Sequence, residues 1–78
     1  MTEQSIIDNL NDFIEEENGL PIGIDSFLTD SDMDSFAYAV FWFKVEDEYP
    51  CITKEYYDKI NYITYEVREL VEKINECS

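Results

Sequence analysis

Asp30, Asp32 and Asp34 alternate with other residues in the run TDSDMDSF (residues 29–36), and the last of them abuts Ser35 at the edge of an aromatic stretch. Ionised carboxylates at that spacing repel one another, so the cluster calls for a cation or a basic partner surface. A calcium loop of the EF-hand type takes oxygen ligands at its positions 1, 3 and 5, a glycine at 6 and a bidentate glutamate at 12. The three aspartates fill the first set, but Ser35 stands at the glycine position and Phe41 at the glutamate position. What remains is a weak, unspecific divalent-ion site at Asp30, Asp32 and Asp34. Catalysis finds no better footing. The chain has no His, and no Cys flanks Ser35, so nothing local activates the serine as a nucleophile. Acid pairs recur throughout so acidic a chain, so spacing nominates no general acid, and an enzyme is not expected. A phosphate ester on Ser35 is better suited. At a helix start it would meet free backbone N–H groups and the positive end of the helix dipole, while the flanking carboxylates would dock a basic modifying enzyme. On the motif alone, Asp34 or Ser35 reads first as a plain helix cap.

These residues must be positioned by one small domain, since 78 residues leave no room for a second. A domain of this size buries only ~60% or slightly more of its chain surface. The chain is nevertheless 45% apolar, too much for a disordered segment. Its net charge is −14, from 19 Asp and Glu against 5 Lys and Arg. That field repels nucleic acid and anionic membrane and draws in basic protein surfaces. No apolar run approaches the ~20 residues of a membrane span, and no basic stretch followed by an apolar run suggests a signal peptide. A cytoplasmic monomer is expected. Cys51 and Cys77 do not form a metal or redox spacing; they read as free thiols in a reducing compartment, with a single disulfide as the other reading.

Hydrophobic periodicity predicts helices and no strand. Ile6, Ile7, Leu10, Phe13 and Ile14 form one face of a helix over 3–17, capped by Thr2 or Ser5 and ended by Asn18-Gly19. A long connection over 18–33 carries Pro21 and Gly23, and its apolar residues Leu20, Ile22, Ile24, Phe27 and Leu28 are expected to pin it down. A second helix runs from Ser35 to Tyr49 and stops at Pro50. A short third spans about 53–60 behind Thr53. The last spans about 62–76 behind Asn61, with Ile63, Val67, Leu70, Val71 and Ile74 inward. The expected fold is all-α: a four-helix bundle with a short third helix and a long loop between helices 1 and 2. On the second helix, Tyr38, Phe41, Trp42, Val45 and Tyr49 share the core arc. Ser35, Ala39, Val40, Phe43, Glu46 and Asp47, together with Phe36, share the other. That second face is either an exposed docking patch or has Phe36 and Phe43 tucked against the long loop or the last helix.

Taken whole, the chain resembles the acyl carrier protein family. There a phenylalanine precedes an Asp-Leu-Gly-x-Asp-Ser-Leu motif; here Phe27-Leu28-Thr29-Asp30-Ser31-Asp32-Met33-Asp34-Ser35-Phe36 falls into that register without a gap. Val45-Glu46-Asp47-Glu48-Tyr49 stands where the family carries Leu-Glu-Glu-Glu-Phe. Asp-Ser followed by Phe also looks like the stand-alone carriers that load amino acids, such as D-alanyl carriers. The resemblance implies a single carrier domain over 1–78. A phosphopantetheinyl transferase would attach 4′-phosphopantetheine from coenzyme A to Ser35, with Asp34 helping to seat it. Acyl or aminoacyl groups would then ride on the arm's thiol as thioesters. Phe36, Ala39, Val40, Phe43, Glu46 and Asp47 would meet loading and transferring enzymes with basic patches. Tyr38 and Trp42 stand where relatives place Thr and Val beside the acyl cavity, which implies a cavity filled by protein and a short or polar cargo. The alternative function is an acidic helical interaction protein, such as an immunity protein or a nucleic-acid mimic that blocks a basic enzyme.

Overall fold

The computed structural model describes residues 2–77, and among them the chain forms four α-helices and no strand. Helix α1 (Glu3–Glu16) starts in a capping box: the Ser5 N–H donates to Thr2 Oγ1 at 3.1 Å, and the Thr2 N–H donates back to Ser5 Oγ at 3.2 Å. Ile6, Ile7, Leu10 and Ile14 are buried along one face, as their spacing requires. The helix ends where Asn18 takes a left-handed backbone (φ 63°) and the Gly19 N–H donates to Ile14 O at 2.9 Å. Glycine follows because of space rather than twist. A Cβ at position 19 would lie 2.5 Å from Ile14 Cγ2 and 2.8 Å from Met33 Cγ.

The connection from α1 to α2 is held by side chains. The Asn11 amide brackets Ile22, donating to its carbonyl at 2.9 Å and accepting its N–H at 2.7 Å. Ile22 and Leu28 are buried, whereas Leu20 and Phe27, expected to pin the loop, are 56% and 43% exposed. The loop is tied down instead by backbone bonds to distant segments, Leu28 N–H to Tyr65 O and Val67 N–H to Ser26 O, both at 2.9 Å. One 3-10 turn (Leu28–Ser31) then leads to α2 (Ser35–Glu48). Ala37, Phe41, Trp42 and Val45 of α2 are buried, and Tyr49 beyond its end is buried too, its hydroxyl accepting from Asn9 Nδ2 at 2.8 Å. Tyr38 is only half-buried.

Helix α3 (Lys54–Tyr57) is shorter than the expected 53–60, because the chain loosens into turns after Tyr57. Helix α4 (Val67–Cys77) begins five residues later than its periodicity suggests. Asn61 does not cap it. Its side chain closes a local turn by accepting the Ile63 N–H at 3.1 Å, and Tyr65 and Glu66 are drawn into pairing with residues 27–28. Ile63, expected inward, is therefore 78% exposed. Val67, Leu70, Val71 and Ile74 are buried as predicted. Helix α1 packs on both α2 and α4, and α3 leans on α2.

The two cysteines correct the free-thiol reading: Cys51 and Cys77 form a disulfide, their Cα atoms 5.9 Å apart and within the usual range. The turn after α2 brings Cys51 to the far end of α4, a proximity that a separation of 26 residues hides.

Candidate functional site

The three aspartates turn out to do three separate backbone jobs. Asp30 Oδ2 accepts the Phe27 N–H at 2.9 Å and so closes the 3-10 turn. Asp32 occupies the left-handed region (φ 54°) at the end of that turn, where a short polar side chain is better tolerated than most. Asp34 is the N-cap of α2, its Oδ1 accepting the Ala37 N–H at 2.8 Å. The carboxylates of Asp30 and Asp34 are thus engaged at different backbone amides, and among the described residues no group of three or more His, Cys, Asp or Glu is arranged to hold a metal ion.

Ser35 is the first residue of α2 and is exposed, and its hydroxyl makes no hydrogen bond to another described residue. The two neighbouring serines differ. Ser31 is fully buried and donates to Leu28 O at 2.8 Å, while Ser26 is half-buried and accepts the Gly23 N–H at 3.0 Å. Of the three, Ser35 alone is presented to a reagent. The first turn of α2 carries no acidic residue of its own, and the one carboxylate at it is that of the capping Asp34 on the Ala37 N–H.

Beside Ser35 lies a groove of about 350 Å³ between α2 and the α3 segment. On the α2 side it is lined by Ser35, Tyr38, Ala39, Trp42 and Phe43, which recur at helical spacing. Tyr57 and Tyr62 face them, with Lys54 and Asp58 completing the wall. The rings interlock. Tyr38 and Tyr62 lie 4.8 Å apart between centroids, Trp42 and Tyr57 stack nearly parallel at 4.9 Å, and Trp42 Nε1 donates to the Tyr62 hydroxyl at 2.7 Å. Trp42 is almost wholly buried, in keeping with a core filled by protein. Burial holds the hydroxyls of Tyr57 and Tyr62 above the usual tyrosine range, with the Glu46 carboxylate adding to the effect at Tyr57. Tyr57, Tyr62, Lys54 and Asp58 escaped sequence reasoning. Their only signal is the tyrosine density of residues 56–65, which has no period to follow.

The rim of α2 beside and beyond the groove is open. Phe36 is 75% and Phe43 65% exposed, with Val40 half-buried between them and Ala39 exposed alongside. Asp47 is exposed and Glu46 half-buried one to two turns on. Such large rings in solvent form an apolar patch with an acidic end. The wider surface is acidic because carboxylates far outnumber cations, and the cations present are already occupied. Lys44 bridges Glu16 and Glu17, Lys54 pairs with Asp58, Lys59 with Glu55 and Arg68 with Asp25, while Lys73 sits over the Tyr56 ring. Five of the 19 carboxylates are thereby paired, leaving fourteen without a basic partner among the described residues.

Comparison with protein-family models, with curated proteins and with solved structures gives no match. No described helix is long and apolar enough to cross a membrane.

Proposed function

We propose that this chain is an acyl or aminoacyl carrier whose four helices and long first connection form a carrier-like bundle. The observation that carries the reading is Ser35: an exposed, unengaged hydroxyl at the start of α2, capped by Asp34, in the register of the carrier motif. A phosphopantetheinyl transferase attaches 4′-phosphopantetheine at Ser35 Oγ, and the phosphodiester lies against the unpaired amides of the first turn of α2. Thioesters form on the thiol of the arm, so the protein serves other enzymes and catalyses nothing itself. Phe36, Ala39, Val40 and Phe43 give partner enzymes an apolar footing, and Glu46 and Asp47 attract their basic patches.

A second reading is favoured by the fourteen unpaired carboxylates: an acidic inhibitor that covers a basic enzyme. One experiment separates the two. The protein is incubated with coenzyme A, magnesium and a broad-specificity transferase, and its intact mass is measured. The carrier gains one arm, mapped to Ser35, and Ser35→Ala gains none. Refusal of the arm by several transferases, or its appearance on Ser26 or Ser31, overturns the carrier reading.

A further inference from the structure

The groove beside Ser35 has features that a general apolar cleft does not need. Five of its lining residues are aromatic, and they are ordered along its length. The Tyr38–Tyr62 pair lies one turn from Ser35, and the parallel Trp42–Tyr57 pair one turn further along α2 with Phe43 next in sequence. From Ser35 to Phe43 the helix rises ~12 Å. Lys54 and Asp58, which pair at 2.5 Å and are each more than half exposed, share the groove lining with Tyr57. The Tyr62 hydroxyl accepts the indole proton, while its own proton has no acceptor among the described residues. Trp42, which lines the groove, is almost wholly buried and stacked on Tyr57, so the way into the core is already filled and an occupant stays in the groove.

We propose that this groove seats a flat aromatic acyl group carried as a thioester on the arm at Ser35. The inference rests on the carrier reading and names its cargo class. Aromatic walls favour a ring over an alkyl chain because a ring adds offset or edge-to-face contacts to the area it buries. The volume agrees: a cavity of roughly 150 Å³ holds benzene, and about 350 Å³ accommodates a ring together with the end of its tether. The free Tyr62 proton suits the thioester carbonyl, and the Lys54–Asp58 pair suits a polar substituent on the ring. A long alkyl chain finds no depth here and remains in solvent.

The test has two independent arms. In the first, a transferase loads the protein from benzoyl-coenzyme A. The Ser35 Oγ–P bond forms, the phosphoanhydride bond of the coenzyme breaks, and the serine proton leaves with the adenosine bisphosphate. Intact mass scores the loading. In the second, the unmodified protein is titrated with free S-benzoyl- and S-hexanoyl-N-acetylcysteamine, following Trp42 fluorescence and amide chemical shifts. The benzoyl thioester is expected to bind about tenfold more tightly than the hexanoyl one, with shifts centred on Tyr38, Trp42, Tyr57 and Tyr62. Phe43→Ala, a surface change that leaves the core intact, and Tyr62→Ala should each weaken it about fivefold. Equal or tighter hexanoyl binding, or shifts elsewhere, overturns the aromatic preference even when loading succeeds. Failure to load overturns the carrier reading and the tether, whatever the free thioesters do.

Discussion

The indole of Trp42 and the hydroxyl of Tyr62 are joined by a 2.7 Å hydrogen bond that spans twenty residues of sequence and fastens the 61–66 turn to α2. The indole side chain is almost wholly buried, so its N–H depends on that partner. Tyr62→Phe keeps the ring against Tyr38 and removes only the acceptor. It should lower stability in urea denaturation by about 1–3 kcal/mol, the cost of an orphaned buried donor. Trp42→Phe in the Tyr62→Phe background removes the orphan, and the double-mutant cycle should show positive coupling; strict additivity would mean water replaces the hydroxyl.

The Cys51–Cys77 bond closes a segment that contains α3, the groove wall and α4. With a sequence separation of 26 between the cysteines, the chain-entropy relation gives about 3.5 kcal/mol of stabilisation. Reduction, or Cys51→Ser, should shift the urea midpoint down accordingly. Equal midpoints for the oxidised and reduced protein would contradict this.

Asp34 caps α2 and, in the proposed carrier, would also serve as a docking charge, and two substitutions separate the roles. Asp34→Ala loses the bond to the Ala37 N–H and should cost about 1 kcal/mol. Asp34→Asn retains a capping oxygen and should melt within a few degrees of the parent, yet accept the phosphopantetheine arm more slowly. Arm transfer at the parental rate by Asp34→Asn would remove the charge from the docking argument.

Burial keeps the hydroxyls of Tyr57, Tyr62 and Tyr65 protonated above the usual tyrosine range, Tyr65 most of all, with its bond to Tyr56 adding to the shift. In the unfolded chain these groups ionise near pH ~10. Their folded-state values are raised, so their contribution is complete below that pH and is lost as pH rises through it. Urea midpoints measured from pH 8 to 11 should fall on the alkaline side. Tyr65→Phe should flatten the fall while lowering the plateau by about 1 kcal/mol for the lost hydroxyl pair.

Much of the fold is written in periodicity. The buried faces of α1 and α4 follow from Ile6, Ile7, Leu10 and Ile14, and from Val67, Leu70, Val71 and Ile74, because each helix needs one continuous apolar stripe. The start of α4 escapes, since Asn61 serves a turn as readily as a cap and the choice is made by Tyr65 pairing with Leu28 far upstream. The aspartates look like a ligand set in one dimension, while their separate hydrogen bonds exist only in three. Phe36 and Phe43 are visible as a stripe, but whether another segment covers them depends on where residues 61–66 settle.

The occupation of all five basic side chains has a consequence for how molecules of this protein meet one another. Each copy carries exposed Phe36 and Phe43, the kind of rings that make proteins stick, yet among the described residues no basic side chain is left over to welcome the carboxylates of a second copy. Like surfaces therefore slow as they approach within the ~8 Å reach of unscreened charge, while a basic visitor accelerates over the same distance. The acidity works as a sorting barrier that holds siblings apart and leaves the rings to strangers of opposite sign. Concentrated salt lowers that barrier from both sides, and crowding of the protein with itself becomes easiest where its attraction to others is weakest.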